Sequence, residues 1–281
     1  MKNGQVELEK NAEIKGGVSN NRLGEINYNK YGSKMTIVEY YGASYVVVEF
    51  DNGYITKCTY QQFQKGTIKS LYCRTVCGVG IVGLQDIFPN IDERYKKSYD
   101  RWRSMLTRCY NENLRDKTPT YEDVFVCKEW LYYPNFKKWY DENFYQVDNE
   151  VMCLDKDILV KGNKLYSPRT CIFVPARINE MFTQNNKRRG DCPIGVNYKK
   201  KTNKYIAQCN NGSHGNAGLG TFDNPVDAFY KYKNYKEKSI RIVANEYKDR
   251  IPEKLFNAMY NWKVNIDDWY IINKLIKYNK F

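Results

Sequence analysis

The chain has 281 residues, with 45 Lys or Arg against 32 Asp or Glu and a formal charge of +13. That length allows one to three domains with ample material for a packed core, and the positive excess favours a polyanionic partner, nucleic acid first, through phosphate neutralisation and counterion release. The polar segment from Met1 to Asn20 has no apolar h-region, no 18 apolar residues run together, and the nine cysteines form no C-x-x-C pair; these features argue against secretion, a membrane span and a disulfide framework, and fit a reducing cytoplasm.

The first region, Asn21 to Gly83, is predicted to be all-β. Met35 to Tyr40, Tyr45 to Phe50 and Tyr54 to Cys58 are short, rich in β-branched and aromatic residues, and separated by Gly42-Ala43 and Asp51-Asn52-Gly53, the pattern of a meander or small barrel. Val46, Val48 and Phe50 alternate with Val47 and Glu49, so one face is apolar and must pack on something. An accessory nucleic-acid module is one role for it. Near its end, Gly78-Val79-Gly80-Ile81-Val82-Gly83 has the spacing of a dinucleotide-binding fingerprint. The context argues against that role, because Phe88-Pro89-Asn90 breaks the chain where a phosphate-binding helix would have to run.

The second region, residues 91–185, opens with a helix whose apolar stripe is Tyr95, Tyr99, Trp102, Leu106 and Cys109, with Arg101, Arg103 and Arg108 elsewhere on its surface. Val124 to Trp130 reads as a strand leading into a helix that carries Phe136 and Trp139. Four cysteines, Cys109, Cys127, Cys153 and Cys171, offer thiols for a tetrahedral Zn²⁺ site. Isolated cysteines are more often small buried apolar residues, so their spacing favours packing over zinc.

Four segments in this region carry a family resemblance: Trp102-x-x-Met105-x-x-Arg108-Cys109-Tyr110-Asn111, Val126-Cys127-x-x-Trp130, Leu154-Asp155-Lys156-Asp157, and Tyr166-Ser167-Pro168-x-x-Cys171. In order and spacing they resemble the HNH endonuclease-like proteins of phages and mobile elements. That resemblance implies a ββα site holding one divalent metal, a His that deprotonates water, an Asn that orients the His, and a helical His or Asn that ligates the metal. It also implies action in a bacterial host's cytoplasm. The chain departs from the pattern: Lys156 stands where the base is expected, Thr170 where the orienting Asn is expected, and the helix supplies Asn179. The one histidine, His214, lies far along the chain. Lys156 is flanked by two carboxylates that favour its ammonium form. Asp155 and Asp157 can hold Mg²⁺ or another divalent metal through carboxylate oxygens, or they can form a turn stabilised by Asx hydrogen bonds without any metal.

The third region, residues 191–262 with a helical extension to 281, holds most of the charge. From Lys187 to Phe281 there are 19 basic and 9 acidic residues, hence +10 of the +13. Ile194 to Tyr198 and Lys204 to Cys209 read as strands joined by the basic turn Lys199 to Asn203; Asn210 to Gly218 reads as a polar loop and Leu219 to Phe222 as a third strand. Asn224-Pro225 followed by Asp227 signals a helix start, and Phe229, Tyr232, Ile240, Val243 and Tyr247 give that helix one apolar face. Lys231, Lys233, Lys238 and Lys248 are interleaved with them. A sheet backed by one helix leaves its other face free, and a β-ribbon fits the major groove of DNA.

The Gly195-Val196 opening, the basic-aromatic-x-Ala second strand and the Leu219-Gly220-x-Phe222 third strand resemble the ethylene-response-factor (APETALA-type) DNA-binding domain. The resemblance implies contacts from the first two strands and their turn, at Asn197, Lys199, Lys200, Lys201, Lys204, Tyr205, Gln208 and Asn210. Lysines neutralise phosphates, Asn and Gln pair with adenine, and an aromatic packs on sugar or a thymine methyl. Tyr205 stands where that family usually has Trp, and arginines suited to guanine are missing, so loose sequence specificity is expected.

Together these features predict an α+β protein with a small β meander or barrel, a degenerate HNH-like ββα region, and a three-stranded sheet plus helix. The expected partner is double-stranded DNA, with no membrane role, and the sequence is silent on protein partners. Two functions follow: a metal-dependent HNH-like endonuclease, with Asp155, Lys156, Asp157 and Asn179 at its centre, or a non-catalytic DNA-binding protein or regulator of phage or mobile-element origin.

Overall fold

Runs of alternating β-branched and polar residues favour strands, and the meander expected near the N-terminus is present. The computed structural model describes residues 22–83, 93–115, 121, 123–183, 192–210 and 215–268. The protein is a mixed α+β chain with several small sheets, divided into two compact units that do not follow chain order. One comprises Met1–Lys117 and Lys128–Phe136, the other Thr118–Cys127 and Lys137–Phe281.

In the first unit, β1 (Ile26–Tyr28), β2 (Lys34–Tyr40), β3 (Val46–Phe50) and β4 (Ile55–Cys58) form an antiparallel sheet in chain order. The alternation sends Met35, Ile37, Val46, Val48, Phe50 and Cys58 to one face, where Phe63 and Ile68 complete the core. Helix α1 (Tyr60–Gln64) starts at a capping box in which the Thr59 side chain accepts from the Gln62 amide and the Gln62 side chain accepts from the Thr59 amide. Its following turn lies back on the first strand, with the Lys30 amide donating to the Gly66 carbonyl at 2.9 Å. No β1–β4 pairing among the described residues closes the sheet into a barrel.

The suspected dinucleotide fingerprint is a hairpin of β5 (Arg74–Val76) and β6 (Gly80–Ile81). Cys77 and Gly78 both have positive φ in its turn, which the Val79 amide closes onto the Val76 carbonyl at 3.1 Å. Gly78 therefore serves turn geometry, while Gly80 leaves room for Leu106, whose Cδ1 would lie 2.5 Å from an added Cβ. Residues 84–90, where the break at Phe88-Pro89-Asn90 was expected, lie outside the described residues.

Helix α2 (Glu93–Tyr110) buries Trp102, Met105, Leu106 and Cys109, one stripe at helical spacing. The Trp102 indole N–H donates to the Trp130 carbonyl at 2.6 Å, and Ser98 and Tyr133 share a hydroxyl hydrogen bond of 2.7 Å. A short α3 (Glu112–Arg115) follows. Strand β7 (Phe125–Val126), a 3-10 turn (Lys128–Leu131) and α4 (Tyr133–Asn143) then match the expected strand-to-helix passage.

In the second unit, β8 (Met152–Asp155) pairs antiparallel with β10 (Ile172–Pro175), and α5 (Ala176–Phe182) follows directly. Strand β9 (Leu165–Tyr166), within the intervening loop, pairs with β7. The rings of Trp139, Tyr140 and Phe144 pack around Phe173 at centroid distances of 5.1 to 5.4 Å. Strands β11 (Val196–Lys199), β12 (Lys204–Asn210) and β13 (Asn216–Phe222) form the expected three-stranded antiparallel sheet. The third strand begins within the stretch expected to be loop, because Asn216 and Ala217 pair with Asn210 and Cys209 across a bulge.

Helix α6 (Pro225–Tyr247) starts where expected, with the Asn224 side chain accepting from the amides of Val226 and Asp227. Its buried face contains all five predicted apolar residues and also Lys236 and Glu237. The expected helical extension begins with α7 (Glu253–Tyr260) after Pro252, while residues 269–281 lie outside the described residues. No helix among the described residues is long and apolar enough to cross a membrane.

Candidate nucleic-acid interface and the Asp155 turn

The three-stranded sheet has two chemically distinct faces. Val196, Ala207 and Cys209 turn toward α6 and form a core with Ala228, Phe229 and Tyr232. Side chains alternate along a strand, and directly paired residues share a face. The outer face therefore carries Lys199 opposite Lys204, Asn197 opposite Ile206 opposite Thr221, Gln208 opposite Gly218, and Asn210.

Five of the expected contact residues, Asn197, Lys199, Lys204, Gln208 and Asn210, thus share one face, and exposed Lys200 and Lys201 extend its basic end at the turn. Lys204 is ion-paired with Asp223. At the other end, the buried Lys236 ammonium donates to the Asn210 carbonyl at 3.1 Å, and burial lowers the pKa of Lys236. Tyr205 falls on the other face. It shares parity with Ala207, packs partly buried against the helix-side core, and lies 5.2 Å from the Tyr198 ring. It cannot present its ring on the same face as Gln208 without inverting the strand.

Sequence inspection missed Ile206 and Thr221, which occupy the middle of the outer face. The signal was available: once Ala207 is taken as core, Ile206 must face outward. Gly195 sets the edge of this sheet. It has a φ of +79°, and a Cβ there would lie 2.1 Å from the Tyr232 ring, so β11 lies on α6 only because the side chain is absent.

The central residues form a different kind of site. Asp155 ends β8 opposite Ile172, and its Oδ1 accepts the amides of Asp157 at 2.8 Å and Ile158 at 2.7 Å. Burial first, and then the Asp157 carboxylate, push the Asp155 carboxyl up to about 6 against the opposing pull of these two hydrogen bonds. Lys156 donates to Asp157 Oδ2 at 2.9 Å. Thr170, at the position expected for the orienting Asn, donates to the Leu165 carbonyl at 2.7 Å and contacts Ser167 Oγ at 2.8 Å, which are loop-holding bonds. Asn179 is half-buried on α5, and its carbonyl caps the helix through the Thr183 amide.

Asp155, Lys156 and Asp157 are therefore brought together as an Asx-type turn with an ion pair. The turn engages Asp155 Oδ1 and Asp157 Oδ2, which leaves Asp155 Oδ2 and Asp157 Oδ1 as the oxygens a hard cation would take. Cys109 and Cys171 are buried, Cys127 and Cys153 half-buried, and burial pushes the Cys171 thiol up to about 12. Among the described residues, no three His, Cys, Asp or Glu side chains are grouped as a metal site requires. Compared with protein-family models, curated proteins and solved structures, the chain matches none.

Proposed function

We propose that the chain is a double-stranded DNA-binding protein of the HNH endonuclease-like type, which lays the outer face of β11–β13 in the major groove. The observation that carries this reading is the composition of that face. Lys199 and Lys204, with Lys200 and Lys201 at the turn, stand at one end, amide side chains at Asn197, Gln208 and Asn210 lie along it, and Ile206 sits in its middle row. Lysines neutralise phosphates, amides read adenine edges, and an aliphatic side chain packs on a thymine methyl. With α6 on the opposite face, only one side of the ribbon is available to a groove.

The succession β8, β10, α5 supports grouping the central region with HNH-like ββα folds. The hydrogen bonds of the Asp155 turn favour the non-catalytic form of this proposal, in which that region is a scaffold and the protein binds without cutting.

The test is duplex affinity as a function of salt. Each neutralised phosphate contributes about 0.9 to the slope of log affinity against log salt, so Lys199→Ala with Lys204→Ala should lower the slope by about 2. An unchanged slope removes the ribbon from the interface. Incubating plasmid with Mg²⁺ or Mn²⁺ separates the two forms, since nicking abolished by Asp155→Ala with Asp157→Ala would establish cleavage.

A further inference from the structure

The N-terminal unit carries a basic patch that the ribbon reading leaves unused. The β1–β2 turn and the turn after α1 meet at one end of the meander, where the Lys30 amide donates to the Gly66 carbonyl at 2.9 Å. That contact brings exposed Lys30 and exposed Lys65 onto the same edge, and Lys69 reaches it with its ammonium 5.9 Å from the centroid of the Tyr31 ring. Lys34 pairs across the strands with Tyr28, which is 60% exposed. Among the described residues none of Lys30, Lys34, Lys65 and Lys69 has an ion-pair partner, although exposed Asp51 adjoins Lys34 through its backbone.

We infer that this lysine and tyrosine edge is a second contact surface for the phosphate backbone of DNA, independent of base sequence. Cations on one edge without ion-pair partners among the described residues repel one another until an anion joins them. A row of phosphates supplies anions at a spacing of several ångströms, and the exposed Tyr28 and Tyr31 rings offer flat surfaces for sugars beside them. The amides of Asn27 and Asn29 at this edge are already spent on the carbonyls of Phe63, Gln64 and Ile68, so the lysines contribute affinity and positioning rather than sequence choice. Its location is fixed by Asn29, which is buried between the two turns. Asn29 Oδ1 accepts the amides of Tyr31 and Ser33, and its Nδ2 donates to the Ile68 carbonyl at 3.0 Å.

The inference rests on the reading that the partner is duplex DNA, and the experiment keeps the two apart. Affinity of the full chain for a labelled duplex is measured by anisotropy across a salt series. The variants are Lys30→Ala/Lys65→Ala/Lys69→Ala, the ribbon pair Lys199→Ala/Lys204→Ala, and a charge-matched control, Lys231→Ala/Lys238→Ala/Lys248→Ala, exposed along α6 and at its C-cap. Three lost phosphate contacts should lower the salt slope by about 2 to 3 in the first variant and leave it unchanged in the control. All six lysines of the two triple variants are exposed, so the melting temperature should hold in both. A first variant with the wild-type slope, or a control that loses as much, overturns the second surface. Loss of slope in the ribbon pair alone leaves the ribbon reading standing without it, and a wild-type chain with no duplex affinity overturns both.

Discussion

Replacing Gly195 by Ala tests whether the β11–α6 contact holds the candidate interface together. Gly195 has a φ of +79°, and an added Cβ would sit 2.1 Å from both Cγ and Cδ2 of Tyr232. A positive φ costs an L-residue about 1–2 kcal/mol. Overpacking a filled core costs about 1–3 kcal/mol more, and the ring cannot swing aside because Tyr232 is packed in the core with Phe229 and Ala228. The sum is about 3 kcal/mol. Hydrogen exchange of the β12 amides in a urea series reads it locally, because the Gln208 amide bonds the Gly195 carbonyl at 2.9 Å and the Ala207 position pairs with Val196. Gly218→Ala is the internal control: it lies exposed in β13 with nothing within 4 Å of its would-be Cβ. A Gly195→Ala cost below about 1 kcal/mol, or an equal cost for Gly218→Ala, would refute the contact as the element that positions Asn197 and Lys199.

Three further outcomes follow from buried polar groups. The Asp155 carboxyl is raised from 3.8 to about 6, so the folded state holds this proton more tightly than the unfolded chain. Stability from this group is therefore greatest below about pH 4 and falls by about 2–3 kcal/mol as pH rises through 6. Asp155→Asn keeps an oxygen for the amides of Asp157 and Ile158, so it should match wild type at pH 4 and exceed it at pH 8; urea midpoints that run parallel at both pH values would contradict this. Glu237 accepts from the Lys233 ammonium at 2.7 Å and from the buried Val264 amide at 2.9 Å, with Arg241 and Lys263 within 4 Å. Its replacement by Ala orphans that amide and should cost about 1–3 kcal/mol, whereas Gln, which retains the acceptor, should cost less; equal losses in thermal melts would discount the amide bond. Asn29→Ala removes four hydrogen bonds at a buried site and should cost about 2–3 kcal/mol, with faster proteolysis at the β1–β2 turn as a second measure.

What the sequence disclosed was whatever period and local chemistry determine. The Val46, Val48, Phe50 alternation, the Trp102 to Cys109 stripe and the Asn224-Pro225 helix start each express a short-range rule, and each element is present. Three features were not decided by such rules alone. The resemblance puts Tyr205 at the interface, whereas its parity with Ala207 sets it on the helix side of the sheet. Lys236 looks like one more surface lysine of a basic helix until the Asn210 carbonyl, 26 residues away, gives its ammonium a buried acceptor. Asp155 reads equally as a metal ligand or a turn residue, since Asp-x-Asp suits both, and the two backbone amides that occupy Oδ1 appear only when the loop after β8 is folded.

The second unit links its two parts through α6, and that has a consequence for how DNA would meet the Asp155 turn. At 23 residues the helix spans about 35 Å. Its first half covers the sheet through Phe229 and Tyr232, while its last turn meets the central region: Glu246 pairs with Arg177 at 2.7 Å, and the Tyr247 hydroxyl donates to Glu150. Further ties run from Arg250 to Asp148 and from Lys161 to the Lys263 carbonyl, and the Phe182 and Trp262 rings stack edge to face at 4.7 Å. Exposed ion pairs contribute little individually, but the buried Tyr247 and the ring contact exclude water and give the joint one packed arrangement. A duplex held by the outer face of the ribbon lies on the side of the sheet opposite α6, so a rigid joint keeps Asp155 at a set distance from it. Cleavage would then require either that this distance match a phosphate or that the joint yield, whereas binding alone requires neither.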